Sequence, residues 1–157
     1  MKMNQKSRGN DNFETPKYIF EQLDRIFDFE LDCAATHDNA LCTLYMTEWE
    51  NALIMPWDKR TFCNPPFSKK AAFIEKAYND VTKGICPVCV MILPLNSMDT
   101  RVWHKFIEGQ FYYEILEGRI SFINPGTGIP QKGNNSGTVI VYFKQKIKTK
   151  EQQNDRN

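Results

Sequence analysis

The chain has 157 residues and a formal net charge of +1, with 41% hydrophobic and 13% aromatic residues. This is the composition of an ordinary globular domain, and the length predicts one domain with its own core and no second, independent recognition domain. No segment approaches the ~18 consecutive apolar residues of a membrane span, and the polar N-terminus argues against a signal peptide. Five cysteines, an odd number, favour reduced thiols. We therefore expect a cytoplasmic protein without membrane contacts, in which any contact with nucleic acid depends on local basic clusters.

The N-terminal part predicts a flexible arm followed by a helix. Residues 1–12 are polar and show no periodicity, which is typical of a mobile terminus. Thr15 and Pro16 have the residue types of a helix N-cap and of a first helical position. Apolar residues then recur at helical spacing, which predicts a helix to about Phe27. They are Ile19, Phe20, Leu23 and Ile26.

A short strand is predicted over residues 29–35, where an alternating pattern ends in Asp32 and the small residues Ala34 and Ala35. The segment has no glycine-rich fingerprint of a nucleotide site. Residues 36–57 are mixed in character and predict a loop. Three residues of metal-ligand type lie near this region, but their spacing is irregular and a fourth ligand is missing, so no metal is expected. They are Cys33, His37 and Cys42.

The most informative stretch is the tetrapeptide Asn64-Pro65-Pro66-Phe67, which we call the NPPF motif. It follows the end of a predicted strand, and Ser68 after it is a candidate N-cap for a helix to about Val81. The prolines make a stiff loop that presents carbonyl groups. An Asn oxygen and a proline carbonyl can accept both N–H groups of an exocyclic amine, such as that of adenine, and the Phe ring can stack on a base. As a bare tetrapeptide, the motif is equally compatible with a simple turn.

The segments after the NPPF motif predict further elements of an α/β domain. The helix that follows the motif ends near Gly84, and the apolar run at residues 88–95 predicts a buried parallel strand. Cys86 and Cys89 are expected to be core residues of this region. Asp99 or Thr100 can cap a helix that ends near Glu108. Strands are predicted at residues 112–116, 119–123 and 138–143, with a loop at 124–137 and a basic tail at 145–157.

The NPPF motif and its surroundings resemble the small phage-type DNA N6-adenine methyltransferases, often called Dam-like, over roughly residues 13–143. The match extends to Thr15-Pro16, Leu31-Asp32, Asp99-Thr100 and Gly118-Arg119. The resemblance implies a Rossmann-like S-adenosylmethionine-dependent methyltransferase fold over residues 13–144, with a mostly parallel sheet and a terminal antiparallel hairpin. It implies methyl transfer from S-adenosyl-L-methionine to the N6 amine of a flipped adenine in DNA. The setting would be a bacterial cell or a phage-infected host, as in restriction-modification.

The resemblance also implies a role for each matching residue. The catalytic group consists of Asn64, Pro65, Pro66 and Phe67. The expected contacts to S-adenosyl-L-methionine are Thr15, Pro16, Asp32, Ala34 and Ala35. The expected DNA contacts are Asp99, Arg101, Trp103 and Arg119.

One departure from the family pattern concerns an acid that commonly precedes the Trp ahead of the motif. Here Pro56 occupies that place, and Asp58 after Trp57 is only a weak substitute. This departure leaves open that the chain is a nucleic-acid-binding protein that keeps the fold without catalysis. Because Asn-Pro-Pro-aromatic motifs also resemble those of methyltransferases that act on RNA or on protein glutamine, such an activity is a second alternative. The sequence does not indicate the recognised DNA site or the oligomeric state.

Overall fold

The computed structural model describes residues 13–131 and 136–145, with the exception of the side chains of residues 49 and 50. The predicted N-terminal arm and nearly all of the predicted basic tail lie outside the described residues. Within them, no helix is both long enough and apolar enough to cross a membrane.

A six-stranded sheet forms the centre of the described fold, with the strand order β2-β1-β3-β4-β6-β5. Its strands are β1 (Leu31–Asp32), β2 (Leu44–Tyr45), β3 (Thr61–Cys63), β4 (Cys89–Pro94), β5 (Tyr112–Ile115) and β6 (Thr138–Phe143). Strand β1 is parallel to β2 and β3, and β3 is parallel to β4. Strand β6 is antiparallel to both β4 and β5. The C-terminal strands thus form the antiparallel part of the sheet.

Strand β4 is buried because both of its faces are apolar. Cys89, Met91 and Leu93 lie in one hydrophobic cluster, and Val90 and Ile92 lie in the other. A strand with this composition needs cover on both faces. The predicted strand at residues 88–95 is therefore confirmed, although its two neighbours differ, since β3 is parallel to it and β6 antiparallel.

Helices cover both faces of the sheet. They are α1 (Lys17–Phe27), α2 (Trp49–Ile54), α3 (Lys70–Thr82) and α4 (Arg101–Phe106), with 3-10 turns at Phe67–Lys69 and Leu95–Asp99. The apolar stripe of α1 packs in the same cluster as Val90. Helix α3 packs on the opposite face through Phe73, Ile74 and Ala77, together with Trp103 of α4. These helices hold the strand ends in a fixed frame.

Three helix ends differ from the predictions. Helix α1 begins at Lys17, so Pro16 holds the N-cap position, and the Thr15 side chain makes no capping hydrogen bond. Ser68 does not cap α3 because it lies inside the 3-10 turn that precedes this helix. Thr100 does cap α4, since its hydroxyl accepts the Trp103 N–H at 3.3 Å, but α4 ends at Phe106 before the predicted Glu108.

Two predictions about the chain between the elements were wrong. Residues 36–57 were expected to form a loop, yet they contain β2 and α2. Residues 119–123 were expected to form a strand, yet only Ile123 makes ladder contacts, with Glu14 and Pro130. For β2 and for residues 119–123 the physical reason is the same, since pairing with a neighbouring backbone decides whether a short segment becomes extended structure.

Candidate active site

The candidate residues meet where the parallel strands end. Asp32 ends β1, Asn64 directly follows β3, and Pro94 ends β4. These strands are mutually parallel neighbours, so their carboxyl ends lie on one edge of the sheet. Ligands of open α/β sheets bind at this edge. Two adjoining depressions are found there, a large cleft of about 970 Å³ and a small pocket of about 360 Å³.

The backbone of the NPPF motif is extended at Pro66 and enters a 3-10 turn at Phe67. Pro66 has φ −59° and ψ 136°, and its carbonyl accepts the N–H of Lys69 at 2.9 Å. Of the two proline carbonyls, that of Pro66 is thus used to start the following turn. The Pro65 carbonyl is the group predicted to accept an N–H of the target amine, and Pro65 lines the small pocket.

The side chain of Asn64 is oriented by the N-terminal segment. Its Nδ2 donates to the carbonyl of Phe13 at 3.3 Å. This bond determines which end of the carboxamide faces Phe13, so the acceptor atom Oδ1 lies on the opposite side. Asn64 and Phe13 both line the large cleft and the small pocket. The carboxamide therefore lies at the junction of the two depressions.

The small pocket is mainly apolar and aromatic. Phe13, Phe67 and Phe122 supply three rings, and Ile92 and Leu93 supply aliphatic surface. Phe67 is 41% exposed, so its ring is available for contact with a ligand. Polar groups at the wall include Ser136, whose Oγ accepts the N–H of Asn96 at 3.1 Å. The dimensions and aromatic lining suit a flat heterocycle.

The large cleft contains all five predicted cofactor residues. They are Thr15, Pro16, Asp32, Ala34 and Ala35. The alanines leave the backbone accessible, since they carry no bulky side chain. Thr15 is buried, and its hydroxyl has no hydrogen-bond partner among the described residues. A buried, unpaired hydroxyl at the wall of a cleft is ready to bind a polar ligand.

Asp32 provides a buried acidic group in the large cleft, which Glu14 and Asp38 also line. Its Oδ2 accepts the N–H of Leu41 at 3.2 Å, and its Oδ1 accepts the N–H of Ala34 at 3.3 Å. Burial raises the pKa of the carboxyl to about 6, and the two backbone donors oppose the increase. A carboxylate held in this way favours a cationic ligand, which would offset the cost of burying the charge.

The four residues predicted to contact DNA lie in different places. Arg119 lines the large cleft rather than the small pocket. Asp99 and Arg101 are exposed at the start of α4, outside the lining of either depression. Trp103 is fully buried, and its indole Nε1 donates to Glu108 at 2.9 Å. A fully buried indole has no surface for a substrate, so the predicted role of Trp103 does not fit this structure.

The structure also locates three residues that precede the motif in sequence, Trp57, Asp58 and Cys63. Asp58 is exposed and lines neither depression, so it does not replace the acid missing at Pro56. Trp57 is fully buried and packs against Phe73. Burial raises the pKa of the Cys63 thiol to about 11, which keeps it protonated and unreactive at neutral pH.

Sequence reasoning missed three residues that the fold brings to the small pocket. Phe13, Phe122 and Lys70 all line it. Phe13 precedes the predicted cap by two positions, and Phe122 closes the segment that begins with Gly118 and Arg119. These positions were visible as parts of matching segments, but nothing in a single sequence indicates that they meet the motif.

Comparison with known proteins identifies a family and related proteins. A family model described as DNA N-6-adenine-methyltransferase (Dam) matches residues 2–155. The chain is 27% identical over 154 residues to the DNA N-6-adenine-methyltransferase of Escherichia phage T1, covering 86% of this chain and 63% of the phage protein. It is 37% identical over 65 residues to the putative methyltransferase YfdM of Escherichia coli (strain K12), covering 36% of this chain and 71% of that protein. The chain thus spans less than two thirds of the length of the phage T1 relative.

The family model covers almost the entire chain, including the NPPF motif and the residues of both depressions. The chain therefore belongs to the DNA N-6-adenine-methyltransferase (Dam) family.

Proposed function

We propose that the protein transfers a methyl group from S-adenosyl-L-methionine to the N6 amine of adenine in DNA, on a Rossmann-like methyltransferase fold. The observation that carries the proposal is the position of Asn64. Its carboxamide lies at the junction of a large cleft that suits a polar cationic ligand and a small aromatic pocket that suits a base. A single side chain is thus next to both the donor and the acceptor of the reaction.

In the small pocket, Asn64 and Pro65 act on the amine of the extruded adenine. The Asn64 Oδ1 accepts one N–H and the Pro65 carbonyl accepts the other. This pairing withdraws the nitrogen lone pair from the ring and directs it toward the large cleft. Because the motif is already rigid, little reorganisation is needed when the reaction occurs.

The aromatic rings replace the stacking that the adenine loses when it leaves the helix. Phe67 offers an exposed ring, while Phe13 and Phe122 form other walls of the pocket. Stacking of one base on an aromatic side chain contributes about 1–3 kcal/mol, which offsets a large part of the cost of unstacking. The aromatic lining favours a base over the aliphatic amide of a glutamine side chain as acceptor.

The large cleft fits S-adenosyl-L-methionine, which supplies an electrophilic methyl group on a sulfonium sulfur. Asp32 carries the carboxylate that favours a cation, and the unpaired hydroxyl of Thr15 offers a hydrogen bond. Thr15 and Pro16 precede α1, whose N-terminus favours a carboxylate group. Ala34 and Ala35 allow close approach to the backbone, and Arg119 adds a positive charge at the same cleft.

The methylated amine must lose one proton. Among the described residues that line the small pocket, none is an Asp, Glu or His. The chain's contribution is therefore to orient and polarise the amine, and the proton leaves to water. This fits the absence of an acid at Pro56 without requiring loss of catalysis.

The experiment compares transfer of a labelled methyl group to DNA, RNA and protein by the wild type and by Asn64→Ala. We expect transfer to DNA, with kcat lower by on the order of 100-fold or more in the variant, because one of two amine acceptors is lost. Asn79→Ala is a matched control, since Asn79 lies on α3 outside both depressions. Equal rates for Asn64→Ala and the wild type would refute the assignment of the site. Transfer to RNA or protein alone would refute the choice of acceptor.

A further inference from the structure

Lys70 has an unusual position at the small pocket. Its Nζ lies 4.7 Å from the centroid of the Phe67 ring. Both residues line the pocket, and Lys70 is only half-exposed. The ammonium group is therefore held over one face of the ring that is proposed to stack on the base.

The charge of Lys70 is not explained by the stability of the helix that it begins. Lys70 is the first residue of α3, and the first turn of this helix contains no acidic residue. A cation near a helix N-terminus is unfavourable because the helix dipole is positive there. Burial lowers the pKa of Lys70, and the nearby carboxylate of Asp99 opposes this effect. A charge that is locally costly in these ways indicates a functional requirement.

We propose that Lys70 binds a backbone phosphate next to the extruded adenosine. The inference rests on the proposed function and makes it more specific. When a nucleotide rotates out of a duplex, its base enters the enzyme pocket while its sugar and phosphates stay at the rim. The Lys70 ammonium lies over one face of Phe67 at this pocket, so a phosphate of a nucleotide whose base stacks on the other face of Phe67 comes within its reach.

Asp99 has a defined part in this arrangement. It is close enough to Lys70 to favour the charged ammonium when DNA is not bound. A phosphate then takes over as the main counter-charge of Lys70. Asp99 therefore influences DNA binding through Lys70, although it does not line the pocket itself.

A purely structural role for Lys70 makes a different prediction. In that case the ammonium would only hold the Phe67 ring by a cation–π contact, and its loss would disturb stacking of the base. The rate at saturating DNA would then fall, without a change in the salt dependence. If Lys70 instead contacts a phosphate, its loss changes the KM for DNA and the dependence of KM on salt, because the variant releases fewer counterions when it binds DNA.

The test measures methyl transfer to unmethylated plasmid DNA at several KCl concentrations. We expect Lys70→Gln to raise the KM for DNA about three- to tenfold at moderate salt, and to make the plot of log(kcat/KM) against log[KCl] shallower by about one. The kcat at saturating DNA stays close to that of the wild type. Lys70→Arg keeps the charge and restores most of the affinity and the full salt slope.

Lys69→Gln is the matched control, because it removes a charge from the preceding residue, which is exposed and outside the pocket lining. A salt slope for Lys70→Gln equal to that of Lys69→Gln or the wild type overturns the proposal. A loss confined to kcat also overturns it and assigns Lys70 to the positioning of Phe67. Thermal unfolding and S-adenosyl-L-methionine affinity, measured on each variant, confirm that the fold is intact. A wild type that transfers no methyl group to DNA would instead refute the proposed function itself.

Discussion

At the scale of single residues, the buried carboxylate of Asp32 determines how the large cleft responds to pH. Its ordinary pKa of 3.8 is raised to about 6 by burial. The folded protein without a ligand therefore holds the carboxyl proton more tightly than the unfolded chain does. The stabilising contribution of this site is complete below pH 3.8 and is lost as the pH rises through about 6. Above that value the folded protein holds a buried negative charge that a cationic ligand can offset.

The upward shift of the Asp32 pKa predicts how cofactor binding depends on pH. We expect the affinity for S-adenosyl-L-methionine to rise as the pH passes through about 6 and to level off above that value, since the cation prefers the ionised carboxylate. Asp32→Asn should bind more weakly at pH 7.5, and its affinity should vary little over this range. Calorimetric titrations between pH 5 and 8 measure both effects. Equal wild-type affinity at pH 5 and pH 7.5 would contradict the assigned role of Asp32.

The residues that sequence reasoning located correctly share one property, which is a strong local signal. Asn64 is surrounded by two prolines and follows a predicted strand, so its place at a strand end could be predicted. Asp32 ends an alternating segment in the same way. Phe13 could not be assigned to the site from the sequence. Its contribution is a backbone carbonyl that accepts a hydrogen bond from the Asn64 side-chain amide, 51 positions away in sequence. Such contacts depend on the packed fold and leave no trace in local pattern.

At the scale of elements, the position of the NPPF motif depends on how α3 is anchored to the chain before β3. The carboxylate of Asp80 on α3 is buried. It accepts the backbone N–H of Trp57 at 3.0 Å and forms an ion pair with Lys76 at 2.9 Å. The segments on both sides of the motif are thereby joined through one side chain.

Replacing Asp80 should be strongly destabilising. Asp80→Ala leaves the ammonium of Lys76 and the N–H of Trp57 without their buried partner, so we expect the free energy of unfolding to fall by about 3 kcal/mol. Urea unfolding, followed by tryptophan fluorescence, measures the change. Glu75→Gln is the control, because Glu75 is exposed on the same helix. A loss below about 1 kcal/mol would show that the ion pair contributes little to anchoring α3.

Elements with long periodic patterns could be predicted, and so could the short strands β1 and β5, whereas β2 and α2 could not. Helix α1 and strands β4 and β6 each have enough periodic residues to indicate their type. Strands β1 and β2 have two residues each, and they exist because a neighbouring backbone pairs with them. The mixed polar and apolar residues 119–123 gave a strand pattern but pair only through Ile123, since β6 already has β4 and β5 as neighbours.

At the scale of the whole molecule, distant segments close over the junction of the two depressions. Glu14 and Ile123 exchange two backbone hydrogen bonds of 2.9 Å, and the Asn64 side chain bonds to the adjacent Phe13 carbonyl. Ile123 lines the large cleft and its neighbour Phe122 lines the small pocket. The order of the strands and this closure both depend on long-range pairing, so neither could be derived from one sequence.

The shared wall predicts that the two ligands bind cooperatively. S-adenosylhomocysteine in the large cleft would order the segment that carries Phe13 and so help to fix Asn64 in the small pocket. We expect it to tighten DNA binding by about 5- to 100-fold, and DNA to tighten its binding by the same factor, because coupling free energies are reciprocal. Fluorescence anisotropy with labelled duplex DNA, with and without S-adenosylhomocysteine, measures the first factor, and calorimetry measures the second.

The backbone bond between Ile123 and Glu14 is the element that should transmit this coupling. Ile123→Pro removes the N–H that donates to the Glu14 carbonyl at 2.9 Å. We expect the coupling factor to fall toward one in this variant, with a smaller loss in the affinity for each ligand alone. Ile123→Ala keeps the N–H and shortens the side chain, so it should retain most of the coupling. If both variants lost coupling equally, the effect would come from packing of the Ile123 side chain. If neither did, the closure of Glu14 on Ile123 would have no part in linking the two depressions.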